Sequence, residues 1–342
     1  MDRQRGVDRR TLIRRGLLGV AAAAGLGLDD IAALAQGTDA LKVVNLNGNL
    51  APVFDELLKV GRYCEEFGVK IDTLNVSDGT KIIASLVSGN ADICAGTGFS
   101  GVFPAFERGA KIKIIAGSSL SPQTAIFSKR PNIREAKDLI GKTVGVGPLG
   151  AQLHELAVAL LMKKGLDYTK VNFVSIGAVS SVFNAVAAGV VDAGFGTVDV
   201  YFEQEKYGVH VLDDGVLWNE LPDFTNQAML ASDKAIAEKR DQIVKLMAAY
   251  AKLFRFINTP GSKEAWIKAR AIALGKDEPK EAETQWSFFN KPGILATNLV
   301  LTEKQFEFAQ ALNVQVGAQQ KVLPFDQVAD MSMAREALKL LG

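Results

Sequence analysis

Residues 77–97 read SDGTKIIASLVSGNADICAGT, and residues 177–197, one hundred positions on, read GAVSSVFNAVAAGVVDAGFGT. The two stretches align without a gap and share Gly89/Gly189, Asp92/Asp192, Gly96/Gly196 and Thr97/Thr197. Apolar residues at helical spacing, Ile82, Ile83, Leu86 and Val87 in one copy and Val182, Phe183 and Val186 in the other, predict an amphipathic helix. The shared glycine ends it, because a residue without a Cβ adopts the left-handed conformation of a helix C-terminus at little cost. An apolar, strand-like run then follows in both copies.

The offset extends upstream. Residues 42–48 face 142–148, and 69–76 face 169–176, so each copy reads strand, loop, helix, strand, loop, helix, strand, loop. That order is a βαβαβ unit, half of a doubly wound sheet. Another apolar strand covers 111–116, and 118–123 reads as a polar linker. After 221–223 the texture changes again, and 226–231 reads as a strand returning to the first half. Helical spacing resumes at Ile243, Leu246, Met247, Tyr250, Leu253, Phe254 and Ile257. The expected fold is therefore α/β, with two doubly wound lobes joined by a two-crossing hinge. Lobe one takes residues 40–120 and 226–342, and lobe two takes 124–222.

With 342 residues, 48% hydrophobic and 23% charged, the chain can bury cores for two such units, and a net charge of +1 builds no field for nucleic acid. Residues 1–35 differ in texture. Arg9 and Arg10 precede Thr11-Leu12-Ile13, a Gly/Ala-rich apolar stretch covers 16–28, and Ala33-Leu34-Ala35 offers a small-x-small cleavage signal. This resembles a twin-arginine export leader. About 13 weakly apolar residues are too few for the roughly 20 of a spanning helix. A leader with six basic and four acidic residues leaves a mature chain of net charge −1. Two cysteines, Cys64 and Cys94, are too few for a disulfide framework; a buried Cys94 thiol and a bridge both remain open.

The stretches YCEEFGVKIDTLNVSDGTKIIASLVSGNADICAGTG (63–98), AKDLIGKTVGVGPLGAQLHELAVALLMKKGL (136–166) and VVDAGFGTVDVYFEQ (190–204) resemble the nitrate/sulfonate/taurine-type family of ABC-importer binding proteins, relatives of the thiamine-pyrimidine synthases. The resemblance covers about residues 40–260. It implies the type II periplasmic binding protein fold and a periplasmic, monomeric receptor that passes a small-molecule solute to ABC permease subunits; the leader implies export by the twin-arginine translocase. It implies no cofactor, no metal, no catalytic residue and no nucleic-acid partner. The solute it implies is a small sulfonate, carboxylate, nitrate-like anion or heterocycle.

The residues themselves place a site where strands end and helices begin, since free amides and the helix dipole there favour polar or negative groups. Six loops qualify: 47–51, 77–81 and 97–101 in lobe one, and 147–152, 177–181 and 197–201 in lobe two. They supply Asn47, Asn49, Asp78, Thr80, Thr97, Phe99, Ser100, Gly150, Ser180, Ser181, Thr197, Asp199 and Tyr201, His154 lies two residues beyond the fourth loop, and the linker adds Ser119 and Gln123. These side chains suit hydrogen bonding and stacking. His154 and Lys81 are the nearby basic groups, and no arginine lies in the six loops. A multiply charged anion normally meets a bidentate arginine, so a singly charged sulfonate or carboxylate, or a neutral heterocycle stacked on Phe99 or Tyr201, fits better. Plainer roles compete: strand-start turns for Asp92 and Asp192, helix N-caps for Thr97 and Thr197, and a polar helix flank for His154.

Three other functions meet obstacles in the sequence. An enzyme on this scaffold, similar to the pyrimidine synthases or to chorismate-processing enzymes, needs a nucleophile with a base or a metal cluster. The chain has His154, His210 and two separated cysteines, with neither C-x-x-C nor H-E-x-x-H and no Cys-rich run. A regulator's sensing module would carry a helix-turn-helix at one end, where the leader stands. Gly145, Gly147 and Gly150 formally match G-x-G-x-x-G, but Pro148 sits in the turn and Asp167 precedes its strand instead of ending it.

Overall fold

Val43 and Val44 are adjacent and both buried, yet they join different apolar clusters. Successive strand side chains point to opposite faces, so this segment lies in a sheet covered on both sides. The computed structural model describes residues 40–46, 50–76 and 79–342; the proposed leader lies outside them. Ten strands form among the described residues: β1 (Leu41–Leu46), β2 (Ile71–Val76), β3 (Ile93–Gly98), β4 (Ile112–Ser119), β5 (Thr124–Ser128), β6 (Thr143–Val146), β7 (Asn172–Ser175), β8 (Ala193–Thr197), β9 (His210–Val216) and β10 (Gln227–Ser232). They pair into two five-stranded sheets, ordered β2-β1-β3-β10-β4 and β7-β6-β8-β5-β9.

Both sheets follow one plan. Three strands are parallel, β2-β1-β3 in one and β7-β6-β8 in the other, and the fourth is antiparallel to them, β10 or β5. Parallel neighbours need a crossover, and the helices are spaced to supply it: α1 (Leu50–Val60), α2 (Gly79–Ser88), α3 (Gln152–Lys163) and α4 (Val179–Ala187). Ile82 and Leu86 of α2 and Val182, Phe183 and Val186 of α4 are buried as their spacing predicts, while Val87 remains 52% exposed. Gly89 and Gly189 follow α2 and α4 with φ of 76° and 74°, the left-handed closure expected of both. The fold is thus α/β, with two doubly wound halves.

The remaining helices include α5 (Val198–Glu203), α6 (Asp233–Ile257), α7 (Lys263–Leu274), α8 (Pro279–Phe289) and α9 (Glu303–Gln315), beside shorter ones. β4 continues through Ser119, two residues into the stretch read as linker, because Ser119 pairs with Gln227 of β10. The chain crosses from the first sheet to the second over 120–123 and returns over 217–226. A third link appears only in the structure. Phe306 and Ala309 of α9 sit in the core of the first sheet, while Leu312 of the same helix enters the core of the second.

Cys64 is half-buried and Cys94 buried, and neither forms a disulfide. Burial pushes both thiols up, to about 11 and about 12, so they remain protonated and unreactive at neutral pH. Among the described residues no helix is long and apolar enough to cross a membrane.

Candidate functional site

The chain crosses between the sheets beside the carboxyl ends of β3 and β8, and main-chain bonds fix the crossing segments to each sheet. Phe99 N–H donates to Asn226 O at 3.0 Å, Asn226 N–H to Ser119 O at 3.1 Å, and Val198 N–H to Gln123 O at 3.1 Å. Thr124 pairs with Thr197, and Gln227 with both Gly98 and Ser119. Thr97, Ser119, Gln123 and Thr197 are thereby gathered at one seam. Gln123 Nε2 donates to Ser119 Oγ at 2.6 Å, and the Thr97 hydroxyl lies beside Gly79 at the first turn of α2, where a Cβ would sit 3.4 Å from it.

The amino end of α3 reaches this seam from the other half. Gln152 Nε2 donates to Asn226 O at 2.8 Å and to Asn226 Oδ1 at 2.6 Å. Its carbonyl oxygen lies where a Cβ on Gly98 would be 3.0 Å away, so the absence of a side chain at Gly98 admits Gln152. Sequence reading passed over Gln152 and Asn226 as ligands of anything, because their partnership spans 74 residues and leaves no local pattern.

The helices that follow β6, β7 and β8 share a feature that matters for ligand binding. The first turn of a helix leaves amide groups without helical partners. At α3 and α4 the N-cap residues are Ala151 and Ala178, which have no side-chain acceptor, and at α5 the N-cap Thr197 makes no side-chain cap bond. By contrast α6 and α9 are capped by Ser232 and Thr302. Three helix starts at the ends of lobe-two strands thus leave first-turn amides without a side-chain cap, although Val198 N–H at the start of α5 is already given to Gln123 O.

Several expected ligand contacts are placed otherwise. Phe99 is 1% exposed, with its ring edge-on to Phe103 and Phe306 at 5.2 and 5.0 Å; a ring held in the core has no face for a heterocycle. Ser100 is fully buried and donates its hydroxyl to Glu155. Burial lowers the His154 pKa, its Nδ1 accepts the Gly150 N–H at 3.0 Å, and its ring lies edge-on to Phe173. Gly150 therefore gives its amide to His154. Thr97 is not a helix N-cap and is 3% exposed. Thr80, Ser180 and Ser181 are exposed on the first turns of α2 and α4. Tyr201 is half-buried, edge-on to Trp218 at 5.2 Å, which meets Phe288 of α8 at 5.2 Å. Asp199 Oδ2 accepts from Gln285 Nε2 at 3.4 Å, a second contact from α5 to the first half. Asn47, Asn49 and Asp78 lie outside the described residues.

Two surface grooves lie away from the seam. One of 490 Å³ runs along edge strand β2, lined by Asp55, Lys59, Cys64, Asp72 and Asn75 among others; another of 290 Å³ separates α9 from residues 322–325. Among the described residues no group of three His, Cys, Asp or Glu side chains could hold a metal ion.

A family model described as NMT1/THI5 like matches residues 60–259. The alkanesulfonate-binding protein SsuA from Xanthomonas axonopodis pv. citri, solved with MOPS, is similar over 87% of this chain and 97% of its own, with a TM-score of 0.68 at 18% identity. The periplasmic nitrate-binding protein NrtA from Synechocystis PCC 6803 is similar over 89% of each chain, with a TM-score of 0.67 at 13% identity. A desulfurization enzyme, DSZB, is similar over 89% of this chain and 100% of its own, with a TM-score of 0.60 at 16% identity. At such identities these likenesses show the fold, that of periplasmic binding proteins. No curated protein matches the chain in sequence.

Proposed function

The chain belongs to the NMT1/THI5-like family, and from that premise we propose that it is the extracytoplasmic solute-binding component of an ABC importer. The observation that carries the reading is the set of uncapped helix starts after β6, β7 and β8. Amides and the positive helix end attract an acceptor group there without a formal cation. Gln123, Gln152, Asn226 and the Thr97 and Thr197 hydroxyls surround the same seam with neutral donors and acceptors. A singly charged sulfonate, carboxylate or nitrate-like anion, or a polar heterocycle, matches this lining better than a phosphate. Likeness to sulfonate- and nitrate-binding proteins supports the same class.

In this role the solute is bound between the halves and released unaltered to permease subunits, by a monomeric receptor exported through the twin-arginine route to the periplasm. Native mass spectrometry of the purified chain tests it: a non-covalent small molecule should ride through purification and leave intact on mild denaturation.

A second reading, an enzyme on this fold, is favoured by the likeness to a desulfurization enzyme. It predicts that the released molecule differs in mass from the one supplied, by a bond cleaved or formed.

A further inference from the structure

Glu155, one turn into α3, is the one buried acidic side chain among the described residues, with none of its surface exposed. Its Oε2 accepts the Ser100 hydroxyl from the first half, and its Oε1 has no partner. Asn313 of α9 donates to Ser100 O at 2.8 Å, and its own Oδ1 also has no partner. Two buried acceptor oxygens thus flank one serine with no donor to satisfy them. Unpaired acceptors in a dry interior are costly, and a single proton on Glu155 turns one acceptor into a donor.

We propose that Glu155 is carried neutral as a proton-bearing latch, holding lobe two against Ser100 and Asn313, and that its ionisation frees the two halves from each other. It is a positioning residue: Gln152, one turn earlier on the same helix, meets Asn226 at the solute seam, so the latch sets how α3 is presented there. Its bearing on solute affinity rests on the receptor reading; the latch itself is tested without solute.

Burial raises the Glu155 carboxyl to about 8, against the opposing pull of the Ser100 hydroxyl. No charged group is among the causes of that shift. Ionisable groups on the elements around α3, including Glu303, Lys304 and Glu307 of α9, Lys137, Lys170 and Glu107, are surface or half-buried groups. The folded chain keeps a proton that the unfolded chain gives up near 4.5. Stability from this group is therefore complete below about 4.5 and is lost progressively as pH rises to about 8.

The test follows the full chain, without solute, by small-angle scattering and thermal melting from pH 6 to pH 9.5. Wild type should expand across a transition near pH 8 and lose about 5 °C more melting temperature than Glu155→Gln, whose neutral amide cannot ionise. The Gln variant should hold the smaller radius throughout. A wild-type radius that does not change, or a Gln variant that expands alongside wild type, overturns the latch. Should that variant fail to fold, the ¹³C carboxyl titration of wild type decides instead: radius and carboxyl must turn over at the same pH.

Discussion

Asp92 and Asp192 make the same pair of bonds in the two halves. Lys42 N–H donates to Asp92 Oδ2 at 2.9 Å while Asp92 N–H donates to Lys42 O at 2.8 Å. Thr143 N–H donates to Asp192 Oδ2 at 3.0 Å while Asp192 N–H donates to Thr143 O at 2.9 Å. Each aspartate thus ties the start of its own strand, β3 or β8, to the start of the neighbouring strand, β1 or β6. Truncating either to Ala leaves a strand-start amide without its carboxylate, so each single variant should lose about 1.5–3 kcal/mol in urea unfolding.

Close approach at Gly194 should be equally demanding. A Cβ there would stand 2.9 Å from methyl groups of Val182 and Val186 and 3.1 Å from Gly145 O. Gly194→Ala forces α4 away from β8 and should cost about 1–3 kcal/mol, read as a lower urea midpoint.

Leu312 is 6% exposed and is α9's contribution to the core of the second sheet. Leu312→Ala should cost about 2–5 kcal/mol. Because it cuts the third link between the halves, calorimetry should also resolve a single unfolding peak into two.

The seam itself should respond to Gln152→Ala. That change removes both bonds to Asn226 and leaves its buried Oδ1 without a donor, so it should weaken binding of whichever solute is carried through purification by about tenfold, as titration calorimetry would read, and lower the melting temperature without solute as well.

Asp55 provides a second pH signature. Burial raises its carboxyl to about 6, partly offset by Lys59 and by Asn45, whose Nδ2 donates to it. The folded chain therefore retains a proton that the unfolded chain loses near 3.8, and stability should fall as pH rises from about 4 to about 6. Asp55→Asn should flatten that part of the profile.

Much of the architecture is written locally. The helices α2 and α4, their glycine ends and the strands around Asp92 and Asp192 follow from spacing that recurs one hundred residues on, because periodic burial leaves a periodic trace. The site is less legible. Phe99 reads as a loop aromatic open to ligand, yet Phe306, more than two hundred residues away, claims its ring. His154 reads as a base, yet it spends its lone pair on Gly150. Glu155 sits in the polar flank of an apolar helix and gives no local hint of burial against Ser100, 55 residues earlier. Such contacts are set by how the two halves meet, which no window of neighbouring residues encodes.

The most direct measurement is small-angle scattering of the full chain at pH 9, above the Glu155 transition, with and without a solute that raises its melting temperature, drawn from alkanesulfonates, nitrate, short carboxylates and pyrimidines. Capture at uncapped helix starts between two hinged halves predicts a smaller radius of gyration with that solute. A stabilising solute that leaves the radius unchanged would contradict it.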